Sequence, residues 1–173
     1  AQELSEKAKL IVQDCIIETD LEILIPETYV SNVSERLQLY SRLDNIKNED
    51  QLSAFITEIK DRFGSLPDSV EELVNSVRLR WLGEKLGFEK LSLKNGKHRA
   101  YFISTNDKYF NSDEFGTILN FIQAHPRKCK MRDSGGKALL AVEEISSVNA
   151  AISLLSQITG HKPTSSVKEI LSR

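Results

Sequence analysis

The 173-residue sequence is poor in the residues that carry most metal and thiol chemistry. It has two cysteines, one methionine, one tryptophan and three histidines. Cys15 and Cys129 lie far apart, each in an apolar or alternating stretch, and read as two buried thiols rather than a disulfide framework. His98, His125 and His161 are scattered, none with a second ligand three or four residues on, so the pattern offers no zinc site. There is no GxxxxGK[ST] loop and no GxGxxG after a strand, which leaves nothing to cradle a nucleotide. No catalytic residue, cofactor or metal is expected. No apolar run approaches the ~18 residues of a membrane span. The opening AQELSEKAKL is charged and lacks the apolar core of a signal peptide, so the expected location is cytoplasmic, with no membrane contact. Neither sign of charge dominates: 23 Lys and Arg stand against 25 Asp and Glu, a net −2. That excludes a uniformly basic coat for nucleic acid but not a local patch.

What is present suits a folded chain. Apolar residues make up 40% and charged residues 28%, ordinary globular proportions that argue against extensive disorder. The expected organisation is one α+β domain over residues 1–173, with 1–13 and 161–173 peripheral. Leu4, Ala8 and Ile11 suit a short lead helix, and Val167, Ile170 and Leu171 a short tail helix. Residues 14–25 are rich in β-branched side chains and read as one or two strands, broken near Thr19-Asp20.

Three helices follow. The first opens at Asn32 with Glu35 at capping-box spacing. It carries two apolar rows, Val33, Leu37, Tyr40 and Leu39, Leu43, Ile46, which predict contact on two sides. The second spans about 49–63, with Leu52, Phe55, Ile56, Ile59 and Phe63 on one stripe and Gly64 and Pro67 as its stop. The third starts at Asp68, again with an acid, Glu71, three residues on. Val70, Leu73, Val74, Val77, Trp81 and Leu82 form its stripe, which places Trp81 in or near the core, and Gly87 ends it.

The second half is built differently. Asn95-Gly96 between alternating segments predicts a hairpin, because both residues accept the positive φ of a type I′ turn. A helix over about 112–124 follows, with Phe115, Ile118, Leu119 and Ile122 on one face. A second hairpin is expected around Asp133 to Gly136, then a helix from Ser146 or Ser147 to Gly160. Residues 88–125 and 127–160 thus each read strand, turn, strand, helix, without residue-level identity between them.

Charge is uneven along the chain. Residues 44–72 are acidic and 78–99 basic, which suits a charged partner surface. Lys128, Lys130 and Arg132 alternate with Cys129 and Met131, so a strand puts all three bases on one face. Either they contact phosphate or they keep an edge strand from aggregating, and the second reading is favoured. On the second helix Glu58 and Asp61 share a surface row, turned away from Ile59 and Phe63. A rigid carboxylate pair could meet partner arginines. Local pairing with Arg62, four residues after Glu58, is the simpler account and is favoured on periodicity alone.

Three runs narrow the field: Arg36-Leu37-Gln38-Leu39-Tyr40-Ser41-Arg42-Leu43, Glu58-Ile59-Lys60-Asp61-Arg62-Phe63-Gly64-Ser65-Leu66-Pro67, and Arg78-Leu79-Arg80 with Lys85-Leu86-Gly87. Together they resemble the C-terminal domain of the bacterial transcription-repair coupling factors (Mfd). Ile17-Glu18-Thr19-Asp20 and Ile25-Pro26-Glu27-Thr28-Tyr29-Val30 resemble the lead into it. The likeness is close over 14–91 and a matter of pattern only from 92 to 160. The resemblance implies a fragment of a cytoplasmic ATP-driven DNA translocase that displaces stalled RNA polymerase and recruits UvrA for nucleotide excision repair. It implies that this domain has no motor motifs, folds onto the UvrB-like module of the same protein and masks its UvrA-binding surface. Glu58 and Asp61 inherit the interdomain contact from the E-x-x-D-R-F-G element. The alternative is a small nucleic-acid-binding module using the basic helix end and hairpin.

Overall fold

The computed structural model describes residues 14–105 and 107–160. The lead and tail helices expected in 1–13 and 161–173, and His161, lie outside the described residues. Among the described residues, five helices and five strands make the α+β fold that the sequence predicts: β1 (Ile16–Thr19), α1 (Val33–Asn45), α2 (Glu49–Phe63), α3 (Asp68–Leu86), β2 (Phe88–Lys94), β3 (Lys97–Phe102), a 3-10 turn (Asp107–Asn111), α4 (Asp113–Ala124), β4 (Cys129–Ser134), β5 (Lys137–Val142) and α5 (Val148–Gly160). The chain divides into two compact units, Glu22–Arg78 and the remainder, with α3 running from one into the other.

In the helical unit the ends are set locally. The Asn32 side chain accepts from the Glu35 N–H at 3.0 Å, and Asn48 from the Gln51 N–H at 2.8 Å. Each cap satisfies one of the N–H groups that a helix start leaves open, worth about 1 kcal/mol. α3 departs from the expected cap: Asp68 is its first helical residue, and the Pro67 carbonyl accepts from Val70 and Glu71. Leu39, Leu43, Leu52, Phe55, Ile59, Val70, Val74 and Val77 form the core. Of the two rows on α1, only one is buried. Val33 and Leu37 stand 60% and 64% exposed, so the two-sided contact predicted for this helix is not made within the unit.

The other unit is a five-stranded sheet in the order β1-β2-β3-β5-β4. Asn95 (φ 55°) and Gly96 (φ 71°) turn between paired Lys94 and Lys97. Gly135 and Gly136, both at positive φ, do the same between Ser134 and Lys137. The two hairpins meet where β3 pairs antiparallel with β5. β1 joins β2 in parallel, and only one strand forms in 14–25. The Thr19 hydroxyl donates to the Leu93 carbonyl at 2.8 Å and accepts the Leu21 N–H at 3.0 Å, which takes the chain out of the ladder. Asp20 then accepts the Asn95 N–H at 2.9 Å, clasping the hairpin turn.

Side chains alternate across a sheet. Leu91, Leu93, His98, Ala100, Phe102, Leu140 and Val142 fall on one face and are buried. Phe115 of α4 meets Phe102 edge-on there, with centroids 5.4 Å apart, while Val148, Ala151, Leu154, Leu155 and Ile158 of α5 are also buried. Trp81 is half-buried rather than a core residue. It falls in the part of α3 where Leu79, Gly83 and Leu86 hold the buried positions, not in the part governed by Val70, Val74 and Val77.

Candidate interdomain surface on the second helix

α2 buries Leu52, Phe55 and Ile59 and turns Glu58 and Asp61 outward, both exposed as their helical positions require. The local pairing expected for Glu58 is not the one formed. Its carboxylate meets Arg42 of α1 at 2.5 Å, with the two side chains 44% and 47% exposed. Arg62 turns instead to Glu35 of α1 at 2.8 Å. The reason is packing. Arg42 lies over the Phe55 ring of α2, 5.1 Å from its centroid, and Arg62 over Phe63, its neighbour on the same helix, at 4.7 Å, so each guanidinium gains a ring face and reaches a carboxylate across the helix pair. Asp61 has no ion-pair or hydrogen-bond partner among the described residues.

Beside Glu58 runs an open groove of about 590 Å³, walled by Ser41, Arg42, Asn45 and Ile46 of the first helix and its end and by Gln51, Ala54 and Phe55 of the second. Sequence reasoning missed Arg42 as a member of this surface. The signal was its place in the Arg36–Leu43 run, but nothing local says which face it takes.

Other residues of the resembling runs hold the architecture. The Tyr40 hydroxyl accepts the Ile25 N–H at 2.7 Å, and Arg36 donates to the Val30 and Ser31 carbonyls at 2.6 and 3.1 Å. Tyr29 donates to the Gly64 carbonyl at 2.7 Å and packs on Phe63, and burial raises its phenol pKa. Arg78 closes a bidentate pair with Glu49, which lowers the pKa of that carboxyl.

The thiols and imidazoles sit in packing roles. Cys15 is 1% exposed, and burial, with Glu84 and Asp14 adding, pushes its pKa up to about 12. Burial also raises Cys129. His98 is fully buried on a central strand, while His125 stacks on Phe121 at 4.2 Å. Among the described residues no group of three or more His, Cys, Asp or Glu could hold a metal ion, and no helix is long and apolar enough to cross a membrane.

The family model described as the TRCF domain matches residues 19–112, from the end of β1 to the cap of α4. The chain belongs to the TRCF domain family. The match extends past residue 91, where the resemblance of the runs alone becomes diffuse. Among curated relatives, the transcription-repair-coupling factor of Rickettsia conorii is 31% identical over 116 residues, 67% of this chain and 10% of that protein. The one from Escherichia coli K12 is 28% identical over 137 residues, 79% of this chain and 11% of that protein. This TRCF domain chain thus spans about a tenth of the length of the relatives it matches. A crystal structure of the C-terminal domain of a transcription-repair coupling factor superposes with a TM-score of 0.67 at 17% identity, covering 92% of this chain and 96% of that one. The TRCF domain here therefore has that fold.

Proposed function

We propose that this chain is a non-catalytic, C-terminal autoinhibitory domain of an ATP-dependent DNA translocase that couples transcription to nucleotide excision repair. In this reading it folds onto the UvrB-like module of the same protein and masks the surface that binds UvrA, with RNA polymerase engagement shifting the balance toward the open form. Supporting it are membership in the TRCF family and the position of Glu58 and Asp61, exposed side by side on a rigid, core-anchored helix. The free Asp61 carboxylate carries the most weight, since it is a charge that the fold holds out and leaves unused. Arg42 already occupies Glu58, so a partner arginine would share that carboxylate, which keeps the contact polar and easily opened. Inter-domain contacts of this kind are small and polar, and a few kcal/mol suffice to keep an open state rare.

The nucleic-acid module expected from the basic run 78–99 is less favoured. Arg78 pairs with Glu49, Lys90 and Lys94 with Glu18, and Arg99 with Glu143, so that run is largely answered by carboxylates.

The test uses the full-length protein carrying Glu58→Ala and Asp61→Ala. Loss of desolvated charge pairs at an interface costs about 2–5 kcal/mol, so UvrA binding in a pull-down should rise. Unchanged UvrA binding by a folded double variant would refute the masking role of this pair.

A further inference from the structure

The face of the sheet opposite α4 gathers bases from both hairpins, although Leu139 and Ala141 of β5, which lie on it, are buried. Paired residues in a sheet share a face. Ile16 and Glu18 of β1, Lys90 and Lys94 of β2, Lys97, Arg99 and Tyr101 of β3, Leu139 and Ala141 of β5, and Lys130 and Arg132 of β4 therefore lie opposite the side on which Phe102 meets α4. By the same alternation Lys137 points to this side. Near β1 the charges cancel, because Glu18 lies 3.9 Å from Lys90 and 3.6 Å from Lys94. Across β3, β5 and β4 they do not. Glu143 answers Arg99 at 3.3 Å and Glu89 answers Lys137 at 3.7 Å. Lys97, Lys130 and Arg132 are exposed and meet no carboxylate among the described residues.

Edge protection accounts for bases on β4, which is an outermost strand. It does not account for Lys97, because β3 lies between β2 and β5 in the sheet and is not an outermost strand. Three exposed cations without carboxylate partners on one face of a chain whose net charge is −2 are the footprint of a polyanion. Single strands are held on sheets by several aromatic platforms. This face offers one, Tyr101, and the Lys90 ammonium already lies 4.4 Å from its ring centroid.

We propose that this face, centred on the unanswered Lys97, Lys130 and Arg132, docks the sugar–phosphate backbone of duplex DNA, without reading its sequence. It lies in the other compact unit from Glu58 and Asp61, so it stands or falls separately from the masking role.

The experiment is fluorescence anisotropy of a labelled duplex titrated with the 173-residue chain at several salt concentrations. With three phosphates contacted, log K should fall against log[salt] with a slope of about −3. Lys130→Gln with Arg132→Gln should weaken binding and make the slope shallower by about 2, and Lys97→Gln alone by about 1. Lys60→Gln, exposed on α2, should change neither. Circular dichroism checks that each variant is folded, and the Lys97 variant gives the readout if the double variant is not. Absence of binding at about 50 mM salt, where such contacts are strong, would overturn the proposal. So would an equal loss in the Lys60 variant, or tighter binding of the single strand than of the duplex.

Discussion

Replacing Gly87 by alanine should be among the most damaging single-methyl changes in the sheet unit. Gly87 ends α3 at φ +91°, where an L-residue pays about 1–2 kcal/mol. A methyl there would also lie 2.0 Å from Cε2 of Tyr109. That ring cannot yield easily. Tyr109 is 1% exposed, its hydroxyl donates to the Leu86 carbonyl at 2.5 Å, and it packs among Phe102, Phe110 and Phe115. Overpacking of this sort costs about 1–3 kcal/mol, so Gly87→Ala should lose about 2–5 kcal/mol in all. Gly96 is the control in the same unit, since its φ is +71° and nothing lies within 4 Å of an added methyl. Gly96→Ala should lose only the backbone share, about 1–2 kcal/mol. Urea denaturation followed by the fluorescence of Trp81, the single tryptophan, measures both. In a Tyr109→Leu background the excess loss at Gly87 should vanish. Equal losses at Gly87 and Gly96, or an excess that survives in that background, would refute the assignment to ring contact.

Glu58→Ala with Asp61→Ala should change the stability of the chain itself by no more than about 1 kcal/mol, because exposed ion pairs contribute little; denaturant midpoints check it, and unfolding would make the carboxylates structural. Trp81→Ala should cost about 2 kcal/mol by the same assay, below the 3–5 kcal/mol typical of a core tryptophan, as its half-buried position requires. His98 should make the chain acid-sensitive. Burial lowers its pKa from 6.5 to about 4, and its Nε2 has no hydrogen-bond partner among the described residues. The unfolded chain takes up the proton first, so this residue has no effect above pH 6.5 and erodes stability as pH falls toward 4. The total is on the order of 3 kcal/mol. His98→Leu should flatten that part of the stability–pH curve, and an unaltered slope would show the acid sensitivity arises elsewhere.

Much of this protein was settled by interactions a few residues long. Asn32 and Asn48 cap helices through N–H groups three residues on, Gly64 and Gly87 stop them by adopting positive φ, and Asn95-Gly96 bends the chain into a hairpin. The outward position of Glu58 and Asp61 follows from the same 3.6-residue repeat that buries Ile59. Tertiary structure decided the rest, where the competing outcomes were locally equivalent. Arg42 and Arg62 were both chemically fit to pair with Glu58, and the choice followed from the α1–α2 packing, in which Arg42 stacks on Phe55 across the contact and Arg62 reaches Glu35 of α1. Both rows of α1 were apolar, yet only Leu39, Leu43 and Ile46 found a surface to bury against. β1 pairs with β2 some 74 residues away in sequence, and no local propensity specifies so distant a partner. The meeting of the two hairpins at β3 and β5 is of the same kind. It turned two separate sets of alternating bases into one cationic face, because residues paired across strands must share a side of the sheet.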